Sequence, residues 1–185
     1  MGAGRESSYM PNKTRKRAFR IGRSRTGLGL FATAPNDSGV ARFKNTGSYC
    51  AVVASVSVEE TVAVHKLWAA VDAGLVINPA GVVSQIEGGM LQAASWALKE
   101  TVPTDGTRLV AESWRDYPIL SFAETPATHV EIIAAPEFPS TGVGEVSLGP
   151  TAGAIANAVA NALGLRVRDI PLTRERLMKV ALAAE

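Results

Sequence analysis

From Ser48 to Val58 the chain alternates Cys50, Val52, Ala54, Val56 and Val58 with Tyr49, Ala51, Val53, Ser55 and Ser57, the two-residue period of a strand with one strongly apolar face. Glu59-Glu60 marks its exposed end. Val62 to Val71, rich in valine, leucine and tryptophan, predicts a second strand, and the short connection predicts an antiparallel pair. After Asn78-Pro79 the period changes. Val83, Ile86, Met90, Ala94 and Leu98 recur at helical spacing, which predicts a helix over about 80–100. Gly88-Gly89 in its middle weakens that helix by about 1 kcal/mol per glycine relative to alanine, so a very close neighbour is expected there.

Beyond it, Asp105-Gly106 between Val102 and Leu109-Val110 is a hairpin signal. Thr128 to Ala134 predicts another strand, broken by Pro136 and Pro139. A second helix is predicted over 150–163, with Gly164 as its stop. Its Ala152, Gly153, Ala154, Ala156, Ala158 and Ala160 leave little side chain, so it too should have a close neighbour. An amphipathic helix over 169–183, with Pro171 in its first turn, ends the pattern. The polar stretch 33–47 reads as loop and residues 1–26 as a basic, disordered arm. The expected fold is α+β, antiparallel strands packed with helices, over residues 27–185.

Composition adds limits to that picture. With 185 residues, 46% hydrophobic and 19% charged, the chain can bury one sizeable core. Its formal charge of +2 hides an asymmetry, because Arg5, Lys13, Arg15, Lys16, Arg17, Arg20, Arg23 and Arg25 crowd the start, where Glu6 is the only acid. That arm lacks aromatic interleaving beyond Tyr9 and Phe19, so a solvated segment is expected and a nucleic-acid partner is not. Cys50 is the single cysteine, which precludes an internal disulfide and an iron–sulfur cluster held by this chain alone; any cluster must sit on a partner. Its apolar surroundings predict a buried structural thiol. No apolar stretch reaches membrane-spanning length, and the expectation is a cytoplasmic protein, or a periplasmic one within a complex.

Chemistry concentrates in Gly142-Val143-Gly144-Glu145, where two glycines let the backbone pass close to a bulky ligand while aiming one carboxylate. Gln85 and Gln92 lie seven residues apart, two helical turns, and place two amides on one face beside Gly88-Gly89. Gly27-Leu28-Gly29-Leu30-Phe31-Ala32 fits a loose dinucleotide pattern but is expected to follow a basic arm instead of a strand and runs into Pro35-Asn36-Asp37 instead of a helix, which argues against a nucleotide site. His65 and His129 are isolated, so no protein-ligated metal is expected.

In order, Tyr49 to Val58, Val71-Asp72-Ala73-Gly74-Leu75-Val76-Ile77-Asn78-Pro79, Gln85-Ile86-Glu87-Gly88-Gly89-Met90-Leu91-Gln92, Asp116-Tyr117-Pro118 and Gly142-Val143-Gly144-Glu145 resemble the C-terminal part of a molybdenum hydroxylase large subunit. The family is that of xanthine dehydrogenase and aldehyde oxidase, with the bacterial isoquinoline 1-oxidoreductase beta subunits nearest. The resemblance implies a molybdenum–molybdopterin cofactor, in the bacterial case a cytosine dinucleotide form, shared with large-subunit regions absent here. It implies Glu145 as catalytic base, Gln85 as a cofactor contact and Gly144 close to the metal centre. The implied reaction is hydroxylation of an electron-poor carbon of an N-heterocycle or aldehyde using metal-bound water. Implied partners are the remainder of the large subunit, an iron–sulfur small subunit and a small-molecule substrate. Val146-Ser147 follow Glu145 where family members commonly carry proline or glycine. Because family large subunits are several times longer, the alternative is a truncated, non-catalytic or assembly domain without cofactor.

Overall fold

A computed structural model describes residues 37–183 and, ahead of them, the backbone of three strands: β1 (Ser7–Tyr9), β2 (Phe19–Ser24) and β3 (Gly27–Phe31). These three form an antiparallel sheet in the order β1-β2-β3. The arm expected over 1–26 otherwise lies outside the described residues, as does the question of its disorder. Gly27 to Phe31, the glycine-rich pattern, is a strand paired with β2. The next strand, not a helix, follows it, so the strand–turn–helix of a phosphate loop is not formed.

The second sheet has the order β4-β5-β6-β7, built from β4 (Ser38–Asn45), β5 (Ser48–Val58), β6 (Val62–Asp72) and β7 (Ala127–Ile132). The β5–β6 hairpin forms where alternation placed it, pairing Tyr49 with Asp72 and Val58 with Val62. The α+β class stands, with two details corrected. Residues 38–45 are not loop but an edge strand, antiparallel to β5. Their polar, glycine-containing sequence has weak strand propensity, and packing against β5 and a helix overrides it. Strand β7 runs parallel to β6, so the sheet is mixed and not purely antiparallel. A parallel return needs a long crossover, and the helix after β6 supplies it.

That helix, α1 (Pro79–Leu98), begins at Asn78, whose side chain accepts a hydrogen bond from the Gly81 amide at 3.0 Å, with Pro79 in the first turn. Helix α2 (Leu148–Leu163) ends at Gly164, which takes φ 70°, the left-handed stop expected of it. Helix α3 (Arg174–Leu182) starts later than expected, leaving Pro171 outside its first turn. The reason is tertiary: Leu172 is buried and its amide donates to the Ala97 carbonyl at 2.7 Å, which holds the chain extended there.

The core joins β5 and β6 to both long helices through Val52, Ala54, Leu67, Ile86, Met90, Val146 and Ile155. Strand β5 is buried on both faces from Cys50 to Ala54, beyond the single apolar face expected of it, as suits a strand central in its sheet. The alanine-rich helix has its close neighbour in β4. A Cβ on Gly39 would run into the backbone of Ala154 and Ala158, and Asn157 and Asn161 donate to the carbonyls of Val40 at 2.8 Å and Ser38 at 2.7 Å. In α1 the two glycines differ. Gly89 is buried beneath the Ser147 hydroxyl at the start of α2, whereas the position of a Cβ on Gly88 faces open space. Among the described residues no helix is long and apolar enough to cross a membrane.

Candidate functional site

Three backbone segments meet at the N-terminal end of α1. The chain leaving β6 turns at Gly74, which takes φ 66°. Its amide donates to the buried Asp72 carboxylate at 3.1 Å. The chain after β7 comes alongside, with the Leu75 amide bonded to the Phe138 carbonyl at 2.9 Å and the Thr141 amide to the Ala73 carbonyl at 3.0 Å. Between these strands and the first turns of α1 lies an open cleft of about 380 Å³, lined among others by Leu75, Ile77, Asn78, Gln85, Thr141 and Gly144.

Gln85 crosses the cleft floor. Its Nε2 donates to the Gly144 carbonyl at 2.9 Å, a bond between residues 59 apart in sequence. The two residues singled out as cofactor contacts are thus bonded to one another. Among the described residues the Gln85 Oε1 accepts no hydrogen bond, and the space where a Gly144 side chain would stand is open. Glu145 is exposed next to this bond, and its backbone carbonyl accepts from the Leu148 amide at 3.2 Å in the first turn of α2. Val146 and Ser147 behind it are fully buried, so Glu145 stands where the exposed loop meets the buried start of α2.

The other sequence candidates fall elsewhere. Gln92 is exposed and lies about 10 Å along α1 from Gln85 by helix rise, outside the cleft lining. The paired-amide face therefore reduces to Gln85. Asp116 and Tyr117 are at the far end of α1: the Asp116 carboxylate accepts from the amides of Glu112 and Ser113, which lowers its proton affinity, and the Tyr117 hydroxyl donates to Glu100 at 2.6 Å. His65 is exposed, 2.9 Å from the Ser57 hydroxyl. Cys50 is buried, and burial pushes its thiol up to about 12. Among the described residues no three His, Cys, Asp or Glu side chains gather as metal ligands. Sequence reasoning missed Asn78 and Thr141 as cleft residues. The Asn-Pro helix start could have flagged the first; no local signal marks the second.

A cleft with one free amide carbonyl and a side-chain-free backbone at Gly144 suits a bulky, heteroatom-rich ligand; Glu145, next in sequence, is not among the lining residues. Residues 6–126 match the molybdopterin cofactor-binding domain family. The chain is 39% identical over 149 residues to a nicotinate dehydrogenase subunit of Pseudomonas putida, covering 78% of this chain and 12% of that protein. It is 34% identical over 137 residues to the beta subunit of isoquinoline 1-oxidoreductase from Brevundimonas diminuta, covering 72% of this chain and 17% of that one. Among solved structures, the aldehyde oxidoreductase of Desulfovibrio desulfuricans superposes with a TM-score of 0.64 at 28% identity, over 72% of this chain and 15% of that one. The class is that of molybdenum hydroxylases, and the chain belongs to the molybdopterin cofactor-binding domain family as part of such a large subunit. It spans between about an eighth and a sixth of the length of those two curated relatives.

Proposed function

We propose that this chain contributes the base-bearing wall of a molybdenum hydroxylase active site, which hydroxylates an electron-poor carbon of an N-heterocycle or an aldehyde. The observation that carries the proposal is the Gln85–Gly144 hydrogen bond, which draws the two candidate cofactor contacts together beside Glu145. A molybdenum–pterin group fits the donor set: Gln85 offers Oε1 as acceptor and its second amide proton as donor, and Gly144 lets a planar ligand approach the backbone; the cytosine dinucleotide form is proposed from the family resemblance alone. When bound, that group supplies the two-electron redox step and the activated water.

The chain's own part is positional and protic. Gln85 fixes the Gly144 backbone and so the direction of the next side chain. Glu145 would accept a proton on an Oε atom as the water oxygen bonds to the substrate carbon, whose C–H hydrogen would leave with its bonding pair to the bound group as the two-electron redox step, and would return the proton to solvent through its exposed side. Leu75, Ile77 and Val143 give the cleft an apolar rim suited to an aromatic or aliphatic substrate body. The rest of the large subunit and an iron–sulfur subunit would complete the cavity and carry the electrons away.

Glu145→Gln in the complex captured through this chain should reduce turnover at least 1,000-fold, while molybdenum content and particle size stay unchanged. Activity within tenfold of the parent complex would remove Glu145 from the mechanism. A second reading is a non-catalytic assembly domain without cofactor. Normal accumulation of a molybdenum-free chain distinguishes it.

A further inference from the structure

We infer that Gly47, Asp72 and Gly74 form a seat that positions the Glu145 loop, with Gly47 acting through Thr141. The inference rests on the proposed role of Glu145, but the seat itself is a property of this chain. Gly47 lies in the β4–β5 turn, outside all the motifs that carry the family resemblance. A Cβ at Gly47 would stand 2.7 Å from Thr141 Cγ2, closer than carbon atoms can pack. On the other side, a Cβ at Gly74 would run into the Pro139 carbonyl oxygen, and the φ of 66° there already disfavours any side chain. The segment 138–141 is therefore clasped between two turns at the same end of the central strands. Asp72 completes the clasp by holding the Gly74 amide.

The seat matters because so little chain separates it from the chemistry. Thr141 is fixed by its amide to Ala73 and by contact with Gly47, while its own Oγ1 is buried with no hydrogen-bond partner, so packing and not polarity holds the side chain. Only Gly142 and Val143 lie between it and Gly144, whose carbonyl is tied to Gln85. From there Glu145 is one residue on, and Val146 is locked in the core. Two glycines in so short a span have no preferred path of their own. The anchors at each end decide it. A displacement of about 1 Å at the reacting group can cost on the order of 100-fold in rate, so a methyl group at Gly47, itself outside the cleft lining but against the lining residue Thr141, should be felt there.

The test uses the full chain and three variants. Gly47→Ala pushes on Thr141; Gly47→Ala with Thr141→Ser removes the methyl it pushes on; Ile155→Val weakens the core elsewhere as a control for general destabilisation. Hydrogen–deuterium exchange of the amides in 141–146 should quicken at least fivefold in Gly47→Ala, return to within twofold of the parent in the double variant, and stay unchanged relative to other segments in Ile155→Val. In the captured complex, kcat should fall about tenfold for Gly47→Ala with KM within twofold, and recover in the double variant. Unchanged exchange, exchange not restored by Thr141→Ser, or the same local loosening in Ile155→Val overturns the seat. Loosened exchange with undiminished kcat overturns its positioning role. Loosened and restored exchange in a chain whose parent complex shows no turnover upholds the seat and counts against the proposed function instead.

Discussion

The Gln85 amide and the Gly144 carbonyl are 59 residues apart in sequence and 2.9 Å apart in space, and the candidate site is organised around that one bond. Both residues were legible only through the motif resemblance, since a glutamine on a helix and a glycine in a loop are by themselves ordinary. Their pairing was not legible at all. It depends on where the turn at Gly74 delivers residues 138–141, which no local pattern encodes. Cys50 is the opposite case, because its apolar neighbours were enough to predict a buried thiol. With the thiol pushed up to about 12 by burial, the thiolate fraction at pH 8 is on the order of one part in ten thousand. Iodoacetamide at pH 8 should therefore leave Cys50 unmodified in the folded chain and alkylate it in denaturant, as read by intact mass. Rapid labelling of the folded chain would contradict its burial.

At the scale of elements, periodicity located β5 and α1, a run rich in valine, leucine and tryptophan located β6, and the Pro150 and Gly164 end signals located α2. It failed at β4, where the strand exists because β5 and α2 accept it and not because its residues favour extension. Pairing direction was also hidden: β7 reads as any short strand, and its parallel pairing follows from α1 carrying the chain back toward the end of the sheet where β6 begins. In sequence the Gly88-Gly89 step reads as one feature, but the two positions have opposite roles. Gly88→Ala meets open space and should stabilise the chain by about 1 kcal/mol through helix propensity. Gly89→Ala presses on the buried Ser147 hydroxyl and should destabilise by about 1–3 kcal/mol. Urea denaturation of the two variants checks the difference in sign; equal shifts would mean that α1 and α2 do not meet at Gly89.

For the molecule as a whole, the cleft beside α1 is open, and the chain spans 12% and 17% of the two curated relatives named above. One open cleft face is present, with the Gln85 amide in its lining, and under the proposed function other parts of a large subunit would complete it. The exposed Leu75, Ile77 and Phe138 near that face are side chains that a completed cavity would cover. The family assignment itself was readable from five ordered motifs, and the match over residues 6–126 supports it independently of the Glu145 loop, which lies beyond that range. Under the proposed function the chain works by helping to hold a molybdenum–pterin group. The most direct test of that function is the molybdenum-to-protein ratio of the native species captured through this chain, sized in the same experiment. About one molybdenum per chain in a particle far larger than 19.4 kDa is the expected result, and metal-free chain at monomer size would contradict it.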